Sequence, residues 1–247
     1  MLLDGIIAIT FERKYLGMVV TDSMRAPKSI TCHSAVSIPT GAGGLPIEIT
    51  LTAKLPPGSG SFIVANALAQ QAMHPEFIDE YNEPSAIIGK TNFEQHDPTA
   101  IYTFGVDKRD LVFHRHEGHR IITGITGGKG CLLKFSLCTA AEALNTPEKF
   151  LEKLYIVKIP ADRLFVLRFA GTIYHQFCPF DHSENGFFAI SAHTNEAGGL
   201  SGEILDLVLA NKSSIALLTE PAPPAAMKLL DEPDALQHAI HISLDFE

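Results

Sequence analysis

Eleven histidines are spread over 247 residues, and six of them fall between positions 114 and 193. Asp110–Gly130 reads DLVFHRHEGHRIITGITGGKG, with His114 and His116 two apart in a run of strand-forming residues. Successive strand side chains leave on opposite faces, so both imidazoles share one face and Arg115 takes the other. One strand can thereby offer two nitrogens to one ion. Further on, Phe169–Phe177 (FAGTIYHQF) brings a turn glycine, Gly171, and then His175, a third nitrogen if its strand lies beside the first. Neutral imidazole is the commonest transition-metal ligand, and three of them leave positions open for water, substrate or dioxygen. Arg120 and Arg168 also sit among strand residues. Either side chain can face the interior and clamp a carboxylate by a two-pronged contact, or lie on the surface in a salt bridge.

Other chemistry-bearing patterns carry less. His182-x-Glu184 and His74-x-Glu76 have the form of half a two-histidine, one-carboxylate site, but the turn-like composition of Asp181–Gly186 favours a loop. His193 ends an apolar run, where it can meet a ligand at a rim or cap a turn. Thr123–Gly130 (TGITGGKG) lacks the first glycine and the final Ser/Thr of a phosphate loop. Gly58-Ser59-Gly60 lacks the third glycine of a dinucleotide fingerprint, and no Gly-x-Ser-x-Gly elbow occurs. Cys32, Cys131, Cys138 and Cys178 form no CxxC pair and are expected as reduced, buried thiols.

The elements that must hold these residues read mainly as strands. Short β-like runs are expected at 5–11, 15–21, 45–55, 100–106, 110–116, 120–124, 131–137, 154–159, 164–170, 172–177 and 186–193. The tail 238–246 alternates and predicts one more strand. Helices are expected over 62–73, over 139–153 with a break near Thr146–Pro147, and over 203–211. Residues 74–100 read as irregular because of Pro75, Pro84 and Pro98, and Glu220–Ala226 (EPAPPAA) as a linker-like loop.

Composition narrows the partners. Nineteen Lys+Arg against 28 Asp+Glu give a formal charge of -9, with no basic run for a nucleic-acid backbone. Apolar stretches are too short to span a bilayer, and Met1–Ile9 lacks the features of a signal peptide. The expectation is a cytoplasmic protein that binds a small molecule, without nucleic-acid or membrane partners.

Gly105–Gly130 resembles the first motif of the cupin superfamily: a glycine, His-x-His, and a later glycine. Phe169–Phe177 is similar to the second motif, in which a glycine precedes a histidine. The resemblance covers about residues 105–180. It implies a mainly β chain with a cupin-like double-stranded β-helix barrel over 100–200. An N-terminal β/α extension would occupy 1–99, and a C-terminal helix and added strand 201–247, all in one domain. It also implies metal ligation by His114, His116 and His175, and a homodimer formed through strands.

The chain departs from the pattern where a glutamate is expected, at about Arg120 or Ile121. That leaves a three-histidine site or a fourth ligand from Glu117 or His119. The ion implied is divalent, Fe(II) favoured, with Zn, Mn or Ni as alternatives. The expected function is a metal-dependent enzyme, of the non-haem iron dioxygenase kind, acting on a small polar or anionic metabolite, with Arg120 or Arg168 orienting it. The alternatives are a non-enzymatic binding or sensing protein of the same fold, and an interaction protein with an ordinary β core.

Overall fold

A computed structural model of the chain describes residues 18–19, 28–41, 44–80, 82–110, 112–195, 197–211, 219–232 and 234–246. The strand expected at 5–11 lies outside them, as does most of that expected at 15–21. The strands are β1 (Met18–Val19), β2 (Lys28–Cys32), β3 (Ala35–Ile38), β4 (Ile47–Lys54), β5 (Phe77–Glu80), β6 (Glu83–Gly89), β7 (Ala100–Val106) and β8 (His114–Arg115). They continue with β9 (His119–Thr126), β10 (Cys131–Ser136), β11 (Leu154–Ile159), β12 (Arg163–Ala170), β13 (Tyr174–Pro179), β14 (Phe187–Thr194), β15 (Glu220–Pro221) and β16 (Ile240–Leu244). The helices are α1 (Ser59–Gln71), α2 (Ala140–Asn145), α3 (Glu148–Glu152), α4 (Gly202–Asn211) and α5 (Pro224–Leu230).

The strands form two sheets, ordered β1-β3-β4-β12-β9-β14-β7-β6-β5 and β15-β8-β13-β10-β11-β16-β2. Within them, β7 to β14 supply the inner sets β12-β9-β14-β7 and β8-β13-β10-β11, an eight-strand jelly roll of the cupin-like, double-stranded β-helix kind. Strands outside this set extend both sheets: β4 pairs with β12, β6 with β7, and β16 with β11. The mainly β reading therefore holds.

Alternation explains the core. In β12 the burial runs inward at Phe165, Leu167 and Phe169, and β14 does the same at Phe187, Ala189 and Ser191. Facing them, β10 and β13 present Leu133, Phe135 and Phe177. The phenylalanines meet edge-on, Phe165 with Phe187 at 5.4 Å and Phe135 with Phe169 at 5.5 Å between centroids. A second apolar cluster lies behind the smaller sheet, where Phe150 of α3 and Ala226 of α5 cover Phe113, Ile156 and Tyr174.

The helix expected over 139–153 is broken as its sequence requires. Thr139 and Glu142 close a capping box at the start of α2, and Pro147 precedes α3. Three expectations need correction. Residues 74–100 are not irregular, because β5 and β6 lie there; Pro84 is tolerated since the β6–β7 register begins only at Ser85. The Pro-rich segment after Glu220 is not a linker: Pro223 and Pro224 pre-set the first turn of α5. The strand expected over 110–116 shrinks to His114–Arg115, because the Asp110 carboxyl and the Val112 backbone N–H turn the chain locally.

One close approach fixes the relative position of the two motif segments. The Gly171 carbonyl accepts from His116 N–H and the Gly171 N–H donates to the Gly118 carbonyl, both at 2.9 Å. A Cβ at Gly171 would stand 2.9–3.1 Å from three backbone oxygens, those of His116, Glu117 and Gly118. Gly171→Ala is expected to lower folding stability by about 1–3 kcal/mol, the usual cost of overpacking, measured as a shift in the urea midpoint.

Candidate metal centre

The inner face of β8 and β13 carries the histidines. His175 is the cross-strand partner of His114, and His116 follows at the start of the turn clipped to Gly171. One ligand nitrogen from each of His114, His116 and His175 can be chosen so that all lie within 4.8 Å of one another, and all three residues are buried. Ring centroids stand 4.5 Å apart for His114 and His175, 4.8 Å for His114 and His116, and 5.3 Å for His116 and His175.

The outer nitrogens show how the rings are held. His114 Nδ1 lies 3.2 Å from the Val112 carbonyl oxygen, and His175 Nδ1 lies 2.8 Å from that of Ile173. A carbonyl only accepts, so both Nδ1 atoms donate, which leaves Nε2 of each ring facing the cavity. His116 Nδ1 meets Thr219 Oγ1 at 3.3 Å. Anchoring one ring nitrogen while the other is left for an ion is the usual support of metal-bound histidine.

Burial holds the His116 and His175 imidazoles well below their ordinary pKa. Arg120 and the neighbouring histidines add to the effect. Both rings are therefore neutral at pH 7, the state that ligates a metal.

The arginines and the fourth-ligand candidates separate cleanly. In β9 the inward positions are Arg120 and Ile122, while His119 and Ile121 face out. Gly118 does bend the chain, at φ +73°, yet the alternation after it leaves His119 away from the cluster. Arg120 is buried, lines the same cavity as the histidines and donates from Nη1 to the Glu117 carbonyl at 3.0 Å. Arg168 is not brought there: it lies between inward Leu167 and Phe169, half exposed, with Nη1 3.4 Å from Glu48 Oε2 on the outer face of the larger sheet. The Glu117 carboxylate reaches toward Gly199. His182 is exposed in its loop.

The cavity offers about 40 Å³, room for an ion and a bound water. Its walls include Phe104, Phe169 and Phe177 as well as Ser85, Tyr102, Ser191 and His193. His193 is the cross-strand partner of Arg120 and stacks on Tyr102 at 4.3 Å between centroids.

Sequence reasoning missed several wall residues, among them Thr219, Tyr102 and Glu83, whose Oε2 lies 3.4 Å from His114 Nε2. The signal was present: Glu83, Ser85 and Ile87 alternate at period 2 on one face of β6. Behind Glu83 stands Asp110, almost fully buried. Burial and the Glu83 charge beside it push the Asp110 carboxyl well above the usual range, with partial relief from Val112 N–H and Lys134. Asp110 Oδ2 has no hydrogen-bond partner among the described residues.

No protein-family model matches the chain, and no curated protein does. Among solved structures it is similar to the non-heme alpha-ketoglutarate-dependent epimerase SnoN of nogalamycin biosynthesis, at 7% identity and TM-score 0.37 over 59% of this chain and 76% of that one. A vicilin from Solanum melongena matches at 11% identity and TM-score 0.36, covering 67% of this chain and 46% of that one. Protein SO0799 from Shewanella oneidensis matches at 11% and 0.33, covering 59% and 92%. The likeness is too distant to carry more, and the jelly-roll assignment stands on the strand order. No helix among the described residues is long and apolar enough to cross a membrane.

The neutral buried rings set a pH dependence. A histidine whose pKa is lowered on folding binds fewer protons in the native state than in the unfolded chain. Stability is then lost as pH falls through the unfolded value of about 6.5. The ion-free protein is expected to lose thermal stability between pH 6.5 and 5 more steeply than the His116→Gln/His175→Gln variant, measured by melting temperature against pH. Equal slopes would show that these rings are already protonated in the native protein.

Proposed function

We propose that the chain is a metal-dependent enzyme in which His114, His116 and His175 hold a divalent ion, Fe(II) favoured, and Arg120 binds the carboxylate of a small anionic substrate. One observation carries this reading: three buried imidazoles converge while the outer nitrogen of each is engaged, two of them on backbone carbonyls. The donor set fits a transition ion, since neutral nitrogen ligands suit iron, zinc, copper and nickel. When bound, such an ion supplies Lewis-acid or dioxygen-activating chemistry.

The residues around it have separate tasks. Arg120 presents a permanently charged, planar group suited to a carboxylate. The carbonyls of Glu117 and His119 accept from its Nη1 at 3.0 and 3.3 Å, which fixes the side chain before substrate arrives. His193, 6.5 Å from His116 between centroids, offers an ionisable ring at the cavity wall. Phe104, Phe169 and Phe177 keep the site dry, which strengthens every charge interaction inside it. A cytoplasmic setting agrees with four free, buried cysteines.

One observation favours a second reading. The Arg120 charge stands beside the imidazoles and works against a second cation. A non-enzymatic protein would bind an anion directly between Arg120 and the histidines, without metal.

Metal content and anion binding separate the two. Protein purified without an affinity tag is expected to carry close to one transition ion per chain, absent from the His114→Ala/His175→Ala variant. Arg120→Gln is expected to keep the ion and to bind small carboxylates about tenfold or more weakly by calorimetry, the loss of a charged hydrogen-bonded contact. Metal-free wild-type protein that takes up no Fe(II) yet binds carboxylates would establish the second reading.

A further inference from the structure

We infer that Glu83, on β6 and outside both histidine motifs, is the carboxylate ligand of this metal centre. The inference rests on the metal reading above and goes beyond it, because neither motif contains this residue.

The argument begins with the facing atoms. The Val112 carbonyl accepts from His114 Nδ1, so Nε2 is the nitrogen turned to the cavity. Glu83 Oε2, also electron-rich, faces that nitrogen at 3.4 Å. Two electron-rich atoms facing each other in a buried site need a metal ion or a proton between them. The distance of Glu83 from His114 suits two ligands on one ion. Atoms each about 2.0–2.2 Å from a metal, at tetrahedral or octahedral angles, stand roughly 2.9–3.5 Å apart. Glu83 stands outside the group in which the three histidines lie within 4.8 Å of one another, so its carboxylate must turn toward the ion to ligate it.

The surroundings agree. Glu83 lines the cavity with the three histidines, and its side chain is one-fifth exposed rather than solvated. Asp110 is buried beside Glu83, and its Oδ2 has no hydrogen-bond partner among the described residues. The position the resemblance reserves for an acidic ligand is taken by Arg120, so β6 restores the missing negative charge from the other side of the cavity.

The alternative occupant of the gap is a proton, which would make Glu83–His114 an ordinary ion pair. Titration of chelator-stripped, full-length protein with Co(II) distinguishes them, read by visible ligand-field absorption and by competition with a chromophoric chelator. Wild type is expected to bind one Co(II). Glu83→Gln is expected to bind it about 10–100-fold more weakly, with a shifted ligand-field band. Glu83→His, which substitutes another donor, is expected to regain most of the affinity; circular dichroism checks that both variants fold.

If folded Glu83→Gln matches wild type in affinity and spectrum, Glu83 is no ligand, while the three-histidine reading stands. If wild type itself takes up no Co(II), the metal reading falls and this inference falls with it.

Discussion

The reciprocal pair of hydrogen bonds between Gly171 and the 116–118 turn holds the site together. The segment before β13 and the segment after β8 already run side by side, since β8 pairs with β13 and β9 with β12, and the clip sets how closely His116 approaches His175. With it, the β12–β13 connection is pinned to the β8–β9 connection, and the single His175–His114 cross-strand pair falls into register. The requirement is steric as well as polar. Three backbone oxygens crowd the place where any side chain at 171 would begin, and Gly118 makes the turn at a positive φ that most residues resist. A β8 only two residues long is enough because the clip, rather than a long ladder, sets its position.

That geometry places strong charges in a dry space, and their balance is informative. His116 and His175 enter neutral because burial disfavours their protonated form. Arg120 cannot shed its proton, and a lone buried guanidinium would be costly. Glu83 brings a carboxylate to the same cavity wall, so positive and negative groups face one another beside the phenylalanines Phe104, Phe169 and Phe177.

The architecture was largely legible because it depends on alternation. Runs such as Arg163–Ala170 and Phe187–Thr194 bury every second residue, and reading them at period 2 gives both the strands and the inward faces. His114, His116 and His175 followed from that arithmetic joined to one turn glycine. Proline misled it twice. Pro84 and the prolines of Glu220–Ala226 were read as breakers, whereas pairing that starts one residue later rescues the first and a helix start accommodates the second. Neither rescue is local: the register of β6 depends on β7, and α5 is held by the apolar cluster behind the smaller sheet. Arg168 and His119 were within reach of the same period-2 reading, since each neighbours an inward aromatic or arginine and must face the other way.

Arg120 and Glu83 show where a motif stops being a guide and the fold takes over. A pattern read along the chain asks for an acid at one position and finds a base. Read through the fold, position 120 is only one inward place on the wall, and any strand bordering the cavity can supply the missing charge. β6 does so because it extends the larger sheet beside β7, and its Glu-x-Ser-x-Ile alternation turns the acid to the same side as the histidines. Exchanging the two signs keeps the net charge of the cavity while moving its positive pole onto the wall between Phe169 and His193, the cross-strand neighbours of Arg120. Under the proposed reading, an anion drawn to that pole would pack against an aromatic ring on one side and an imidazole on the other, and would meet the ion from that wall.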